Sequence, residues 1–147
     1  MALQTDIRSG WLIYALFSAV FAGLVGVFGK LGVRDVDSTL ATTVRAIIMA
    51  LGLSLLVAVR GNFSEIRNID ARAWLFIVLA GAAGAASWLC YFRALQLGDA
   101  VQVAPIDKLS LVVTILLAAL FLGENLTWGI GLGALLVLIG SLLVIRG

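Results

Sequence analysis

The sequence predicts an all-α fold, a polytopic membrane helix bundle with five transmembrane helices. Three observations carry that prediction. First, 63% of the 147 residues are hydrophobic and only 12% are charged, against about 45–50% and about 25% in soluble domains. Second, mean hydropathy is +1.15. Third, the apolar residues fall into long runs, each near the ~20 residues that a helix needs to cross a hydrocarbon core about 30 Å thick. A net charge of only +2 on so apolar a chain excludes disorder.

The first span is expected over about 11–29. It is read as a span and not as a cleaved signal, because its apolar stretch is longer than the usual signal core. The following GKLGVRD also lacks an Ala-x-Ala cleavage pattern. The second is expected over 40–59, the third over 73–92, the fourth over 101–122 and the fifth over 126–145. Between them lie KLGVRDVDST, RGNFSEIRNIDAR, RALQLGDA and GEN, polar and too short to fold alone. The chain, 1–147, is therefore read as a single transmembrane domain. Trp11, Trp74 and Trp128 each open a span and are expected to anchor it at the membrane interface.

Small residues recur at close-packing spacing: Ala19, Gly23 and Gly26 in the first span, AGAAGAAS over 80–87 in the third, and Gly129, Gly133 and Gly140 in the fifth. Lipid tails give helices no hydrophobic reason to associate, so close backbone approach must supply the attraction. Most of these glycines are expected inside the chain's own packing, with a fraction facing a second subunit. The sequence shows no internal duplication, so any symmetry in the active unit must come from another chain.

Several function classes are excluded. The pI of about 9.1 is not a nucleic-acid signal, because the basic residues are scattered singly and form no patch. There is no histidine, and Cys90 is the one cysteine. That removes an intrachain disulfide, a Cys/His metal site and any histidine-based triad. No cofactor or metal is expected. An intramembrane enzyme is disfavoured, since the acids do not cluster. Cys90, in an apolar span, reads as a small buried hydrophobe.

Five spans put the termini on opposite sides. Arg8, Arg60, Arg67 and Arg72 then fall on one side, and Lys30, Arg34, Arg93 and Arg146 on the other. Orientation normally follows a Lys/Arg excess in the cytoplasm, and here the two sides balance. Two readings stand. The chain inserts both ways and pairs with its inverted twin, reproducing the inverted repeats that many transporters hold in one chain. Alternatively, the cluster from Arg60 to Arg72 fixes its own side in the cytoplasm.

The remaining charges lie inside spans. Arg45 sits in TTVRAIIMA of the second, and Asp107 and Lys108 in APIDKLS of the fourth. A charge at the bilayer centre costs at least about 2.5–3.5 kcal/mol. These sites are off-centre, so each either reaches toward headgroups or lines a solute path. Neighbours on a helix point about 100° apart, so Asp107 and Lys108 are expected to find partners elsewhere. Asp107, Ser110 and Thr114, at i, i+3 and i+7, are expected to form one polar stripe. Pro105 lacks an N–H and either frees a carbonyl inside the fourth helix or sits harmlessly in its first turn. Trp88 and Tyr91, beside Gly81 and Gly84, either wall a pocket or anchor an interface. Glu124 is expected to serve the turn before the fifth span.

The second half, YFRALQLGDAVQVAPIDKLSLVVTILLAALFLGENLTWGIGLGALLVLIGSLLVIRG over 91–147, closely resembles an EamA domain of the drug/metabolite transporter superfamily. The matching features are the A-x-x-x-G-D element from Ala94 to Asp99, the VAPI before the fourth span, the LFLGE turn and the glycine-rich last span. Arg45 stands where the family often has an arginine. The resemblance implies a membrane transporter that exports a small metabolite. Most members carry two such five-helix domains in inverted orientation, and this chain carries one, so a homodimer is expected, with an antiparallel pair as one form. Alternating access in the inner or plasma membrane is the expected mechanism. The candidate pathway residues are Arg45, Asp107, Lys108, Ser110, Thr114, Trp88 and Tyr91. The expected partners are a small-molecule solute, the lipid bilayer and a second copy, and not nucleic acid. The alternative is a non-transporting membrane subunit that scaffolds a partner.

Overall fold

The computed structural model describes residues 2–146, with side chains from Gly10 onward. Six α-helices follow in order: α1 (Ala2–Gly32), α2 (Ser38–Arg60), α3 (Ala71–Leu97), α4 (Ala100–Asp107), α5 (Ser110–Leu117) and α6 (Trp128–Arg146). A 3-10 segment, Asn62–Asn68, links α2 to α3, and a π-helical turn, Ala118–Leu122, continues α5. The described residues contain no strand. Five helical stretches are long and apolar enough to cross a membrane: Gly10–Gly32, Ser38–Arg60, Ala71–Leu97, Ala100–Leu122 and Trp128–Arg146. The protein is all-α with five spans, as the apolar runs predict. Arg8 lies outside the described side chains.

Local chemistry sets the helix ends. Asp37 caps α2, its Oδ1 accepting from the backbone N–H of Thr39 (2.9 Å) and Leu40 (3.0 Å). Asp70 serves α3 through Ala73 N–H at 3.2 Å. Gly61 ends α2 with φ +73° and Gly123 ends the fourth span with φ +68°, a region that costs a residue with a Cβ far more than glycine.

The third span ends later than expected. Arg93–Leu97, read from sequence as loop, is helical, so only Gly98 and Asp99 separate α3 from α4. Arg, Ala, Leu and Gln are strong helix formers. A polar stretch that leaves the bilayer keeps its helix until glycine stops it.

Residue contacts divide the chain into two compact units. One is Gly32–Leu97. The other comprises the chain up to Leu31 and from Gly98 onward. In the first, α2 packs against α3; in the second, α4 and α5 pack against α6. The fully or nearly buried apolar side chains are Val33, Phe92 and Leu95, with Ser38 and Thr42 buried among the polar ones. This small core sits where α2 begins and α3 ends. Most large apolar side chains are exposed, Trp128 at 92% and Val59 at 79% among them. In lipid such faces need no protein cover, so burial cannot hold this fold together as it does in water.

Two expectations fail on that account. Cys90 is exposed, because an apolar span position more often faces tails than a core. No heavy atom lies within 4 Å of where a Cβ would stand at Gly23, Gly81, Gly84, Gly133 or Gly140. Among the described residues, those glycines do not mediate close helix packing within their own unit.

Candidate functional site

The unit Gly32–Leu97 positions a cation on an aromatic platform. Gln96 Nε2, near the end of α3, donates to Val36 O just before α2 at 3.1 Å. Arg93 Nη1 steadies that amide by donating to Gln96 Oε1 at 2.6 Å. The end of α3 is thus tied to the start of α2, the two helices run antiparallel, and their register is fixed. Arg45 lies about 10 Å along α2 from Ser38, at 1.5 Å per residue, and this register sets it against Trp88.

The contact is close. Arg45 Cζ stands 3.6 Å from the Trp88 ring centroid and 5.7 Å from that of Phe92. Trp88 meets Tyr91 edge to face, with centroids 5.4 Å apart and planes at 84°, and Phe92 at 5.9 Å and 65°. Tyr91 and Phe92 stand at i+3 and i+4 from Trp88, so one face of α3 gathers all three rings. Among the described residues, Arg45 has no carboxylate within ion-pair distance and no hydrogen-bond acceptor.

Arg45 and Trp88 line a cleft of about 520 Å³ between α2 and α3, with Thr42, Met49, Gly81 and Gly84. The Thr42 hydroxyl donates to Ser38 O at 2.7 Å, and the Thr43 hydroxyl, also on this wall, to Thr39 O at 2.8 Å. The guanidinium and the Trp88 indole N–H are therefore the side-chain donors still available on the wall. A cation–π stack contributes about 0.5–1 kcal/mol when exposed and about 2 when desolvated. A single hydrogen bond to a charged group is worth about 1.5–3 kcal/mol. The stack alone cannot replace the water that five guanidinium N–H groups would give up.

The other candidates gather at a break in the fourth span. Helix α4 ends at Asp107 and α5 begins at Ser110. Between them the backbone tightens into i→i+3 bonds, Leu109 N to Ile106 O and Leu111 N to Lys108 O, both 3.0 Å. Pro105 lies inside α4, so the helix-interior reading holds. Its carbonyl accepts from the buried Ser141 hydroxyl of α6 at 2.8 Å.

The break overturns two expectations. Asp107 and Lys108 do partner each other: Lys108 Nζ lies 3.4 Å from Asp107 Oδ2. Lys108 caps α4 where the helix stops, and its long, exposed side chain turns back to its neighbour. The single polar stripe is also interrupted. Asp107 belongs to α4, whereas Ser110 and Thr114 share a face of α5. Thr114 lines a separate cleft of about 300 Å³ with Glu124 and Asn125. Glu124 N–H closes the turn onto Ala118 O at 3.3 Å, but the side chain that caps α6 is Thr127, whose Oγ1 accepts from Ile130 N–H at 3.4 Å.

The structure therefore brings Arg45, Trp88 and Tyr91 together in one unit. Asp107, Lys108, Ser110 and Thr114 belong to the other. Three contributors escaped sequence reasoning. Phe92 was legible as the i+4 neighbour of Trp88. Ser141 was a lone hydroxyl in an apolar span. Gln96 was hidden by assigning its segment to a loop.

A spanning helix pair with a cation turned toward a cleft suits solute handling, and the comparisons agree. The EamA-like transporter family matches residues 9–146. This chain belongs to the EamA-like transporter family. A Sinorhizobium sp. protein described as an uncharacterized transporter in the cobO 3' region is 45% identical over 134 residues, which cover 91% of this chain and 95% of the relative. No solved structure matches the chain. The EamA chain is a multi-pass membrane protein of a transporter family, and family and relative alike point away from catalysis.

Proposed function

We propose that the chain carries a small metabolite across the inner or plasma membrane, in the export direction, by alternating access and as a homodimer without enzymatic activity. One observation carries the reading. Inside a membrane-spanning pair of an EamA chain, Arg45 rests on Trp88 and faces a cleft with no acid to neutralise it. An ionised side chain at membrane depth is a functional site by default, since its cost must be offset by something.

The break at Lys108–Leu109 supports alternating access. A span broken just after a proline, whose carbonyl is shared between the Ser141 hydroxyl and the Lys108 N–H, can change shape there more easily than a continuous helix. Balanced Lys/Arg counts and the uncovered Gly133 and Gly140 of α6 support a second copy, inverted or not. The whole of 1–147 acts as one transmembrane domain in this reading.

Proteoliposomes with defined solutes inside test it, by comparing efflux from wild-type and Lys108→Ala vesicles. The variant is expected to insert normally and lose at least tenfold in flux. Normal flux would make the polar break structural, and no flux of any solute class by the wild type would favour a scaffold.

A further inference from the structure

We propose that the Arg45–Trp88 cleft selects a small organic anion with one acidic group and a compact apolar body. The carboxylate or sulfonate would sit on the guanidinium edge, and the body would lie against Gly81 and Gly84. The proposal deepens the transporter reading and rests on it for purpose, although binding can be measured without transport.

Four observations converge. Arg is ionised at every accessible pH, and the Trp88 ring covers one face of the guanidinium at 3.6 Å. That leaves its N–H edge, the part shaped for two oxygens of one oxyanion. No protein group uses that edge among the described residues. Among the described residues, the ion pairs of Lys30 with Asp99 and of Lys108 with Asp107 join other residues of the chain.

The cleft also says what the rest of the ligand is. Its wall holds no acid, so an ammonium group would find no counter-charge, and a zwitterion or a cation is disfavoured. Apart from Arg45, the two threonines and the indole N–H, the lining side chains are apolar, and both threonine hydroxyl protons are committed to backbone carbonyls. A polyol would therefore lose more hydrogen bonds to water than it gained. Gly81 and Gly84 leave open space where side chains would project, which is room for a ring or a short branched chain. Trp88 offers the same body a stacking edge.

A lipid phosphate carries the same oxyanion chemistry, so the experiment must separate the two sources. The full chain is placed in phosphatidylcholine nanodiscs and titrated with benzenesulfonate, which is anionic at all working pH. Tryptophan emission reports binding. Benzyltrimethylammonium and benzenesulfonamide serve as cationic and neutral counterparts. Saturable binding of the sulfonate is expected, at least tenfold tighter than either counterpart. Arg45→Gln should weaken it at least tenfold, Arg45→Lys less, and Arg34→Gln not at all. Gly84→Leu, which fills the cleft without touching the cation, should weaken it as well and keeps the test valid if Arg45→Gln misfolds.

Equal binding of the cation, indifference to both Arg45→Gln and Gly84→Leu, or no sulfonate binding by the wild type would overturn the proposal. So would binding that disappears as phosphatidylglycerol replaces phosphatidylcholine, which would give the guanidinium to headgroups. Flux is measured in parallel. Flux without Arg45-dependent binding would refute the anion class and leave the transporter. Arg45-dependent binding without flux would leave the anion class and refute the transporter.

Discussion

At the scale of single residues, two side chains decide most of the chemistry. Arg45 was legible as an oddity, because a guanidinium among TTVRAIIMA has no place in hydrocarbon. Its partner was not legible, because a cation–π contact between helices depends on register. That register is set by Gln96 reaching Val36 O, in a segment with the composition of a loop. Asp107 and Lys108 show the opposite failure. Ideal helical geometry forbids a neighbour pair, and the pair forms because the helix stops there. Asp37 offers a cleaner residue-level test. Its carboxylate takes two backbone donors at the start of α2, so Asp37→Ala should cost about 1 kcal/mol, read as a lower unfolding midpoint in detergent.

At the scale of elements, the five spans were plain in the sequence, since hydropathy needs only length and composition. What composition could not show was the interruption of the fourth. Pro105 signalled trouble without saying where the chain would give way. The structure puts the break after Asp107 and gives the Pro105 carbonyl two donors, the Ser141 hydroxyl and the Lys108 N–H. Polar contacts between membrane helices average about 0.6 kcal/mol. Ser141→Ala should therefore cost roughly that amount and loosen α4 against α6, widening the spread of spin-label distances between the two. Pro105→Ala restores an N–H and should narrow it by favouring a continuous helix. Unchanged distributions in both variants would deny the break any part in conformational change. The glycine pattern was visible but misassigned. Close spacing of small residues predicts close approach, and Gly81, Gly84, Gly133 and Gly140 meet no described residue of their own unit.

At the scale of the whole molecule, the balanced basic residues and the uncovered glycines bear on assembly. If the chain inserts both ways, a tag on either terminus should be reachable from each face of the membrane in comparable amounts. A single accessible face for every molecule would remove the inverted pair. The account's central claim is narrower than assembly: that Arg45 looks onto an aqueous cleft and not onto lipid. A thiol reacts as its thiolate, which forms where water is present. In a Cys90→Ser background, Arg45→Cys should react rapidly with a small membrane-impermeant methanethiosulfonate. Val44→Cys and Leu51→Cys, at apolar positions of α2 outside the cleft, should stay nearly inert. If the cysteine at position 45 is as unreactive as those two, the cleft is dry and the account of this chain as an anion carrier is wrong.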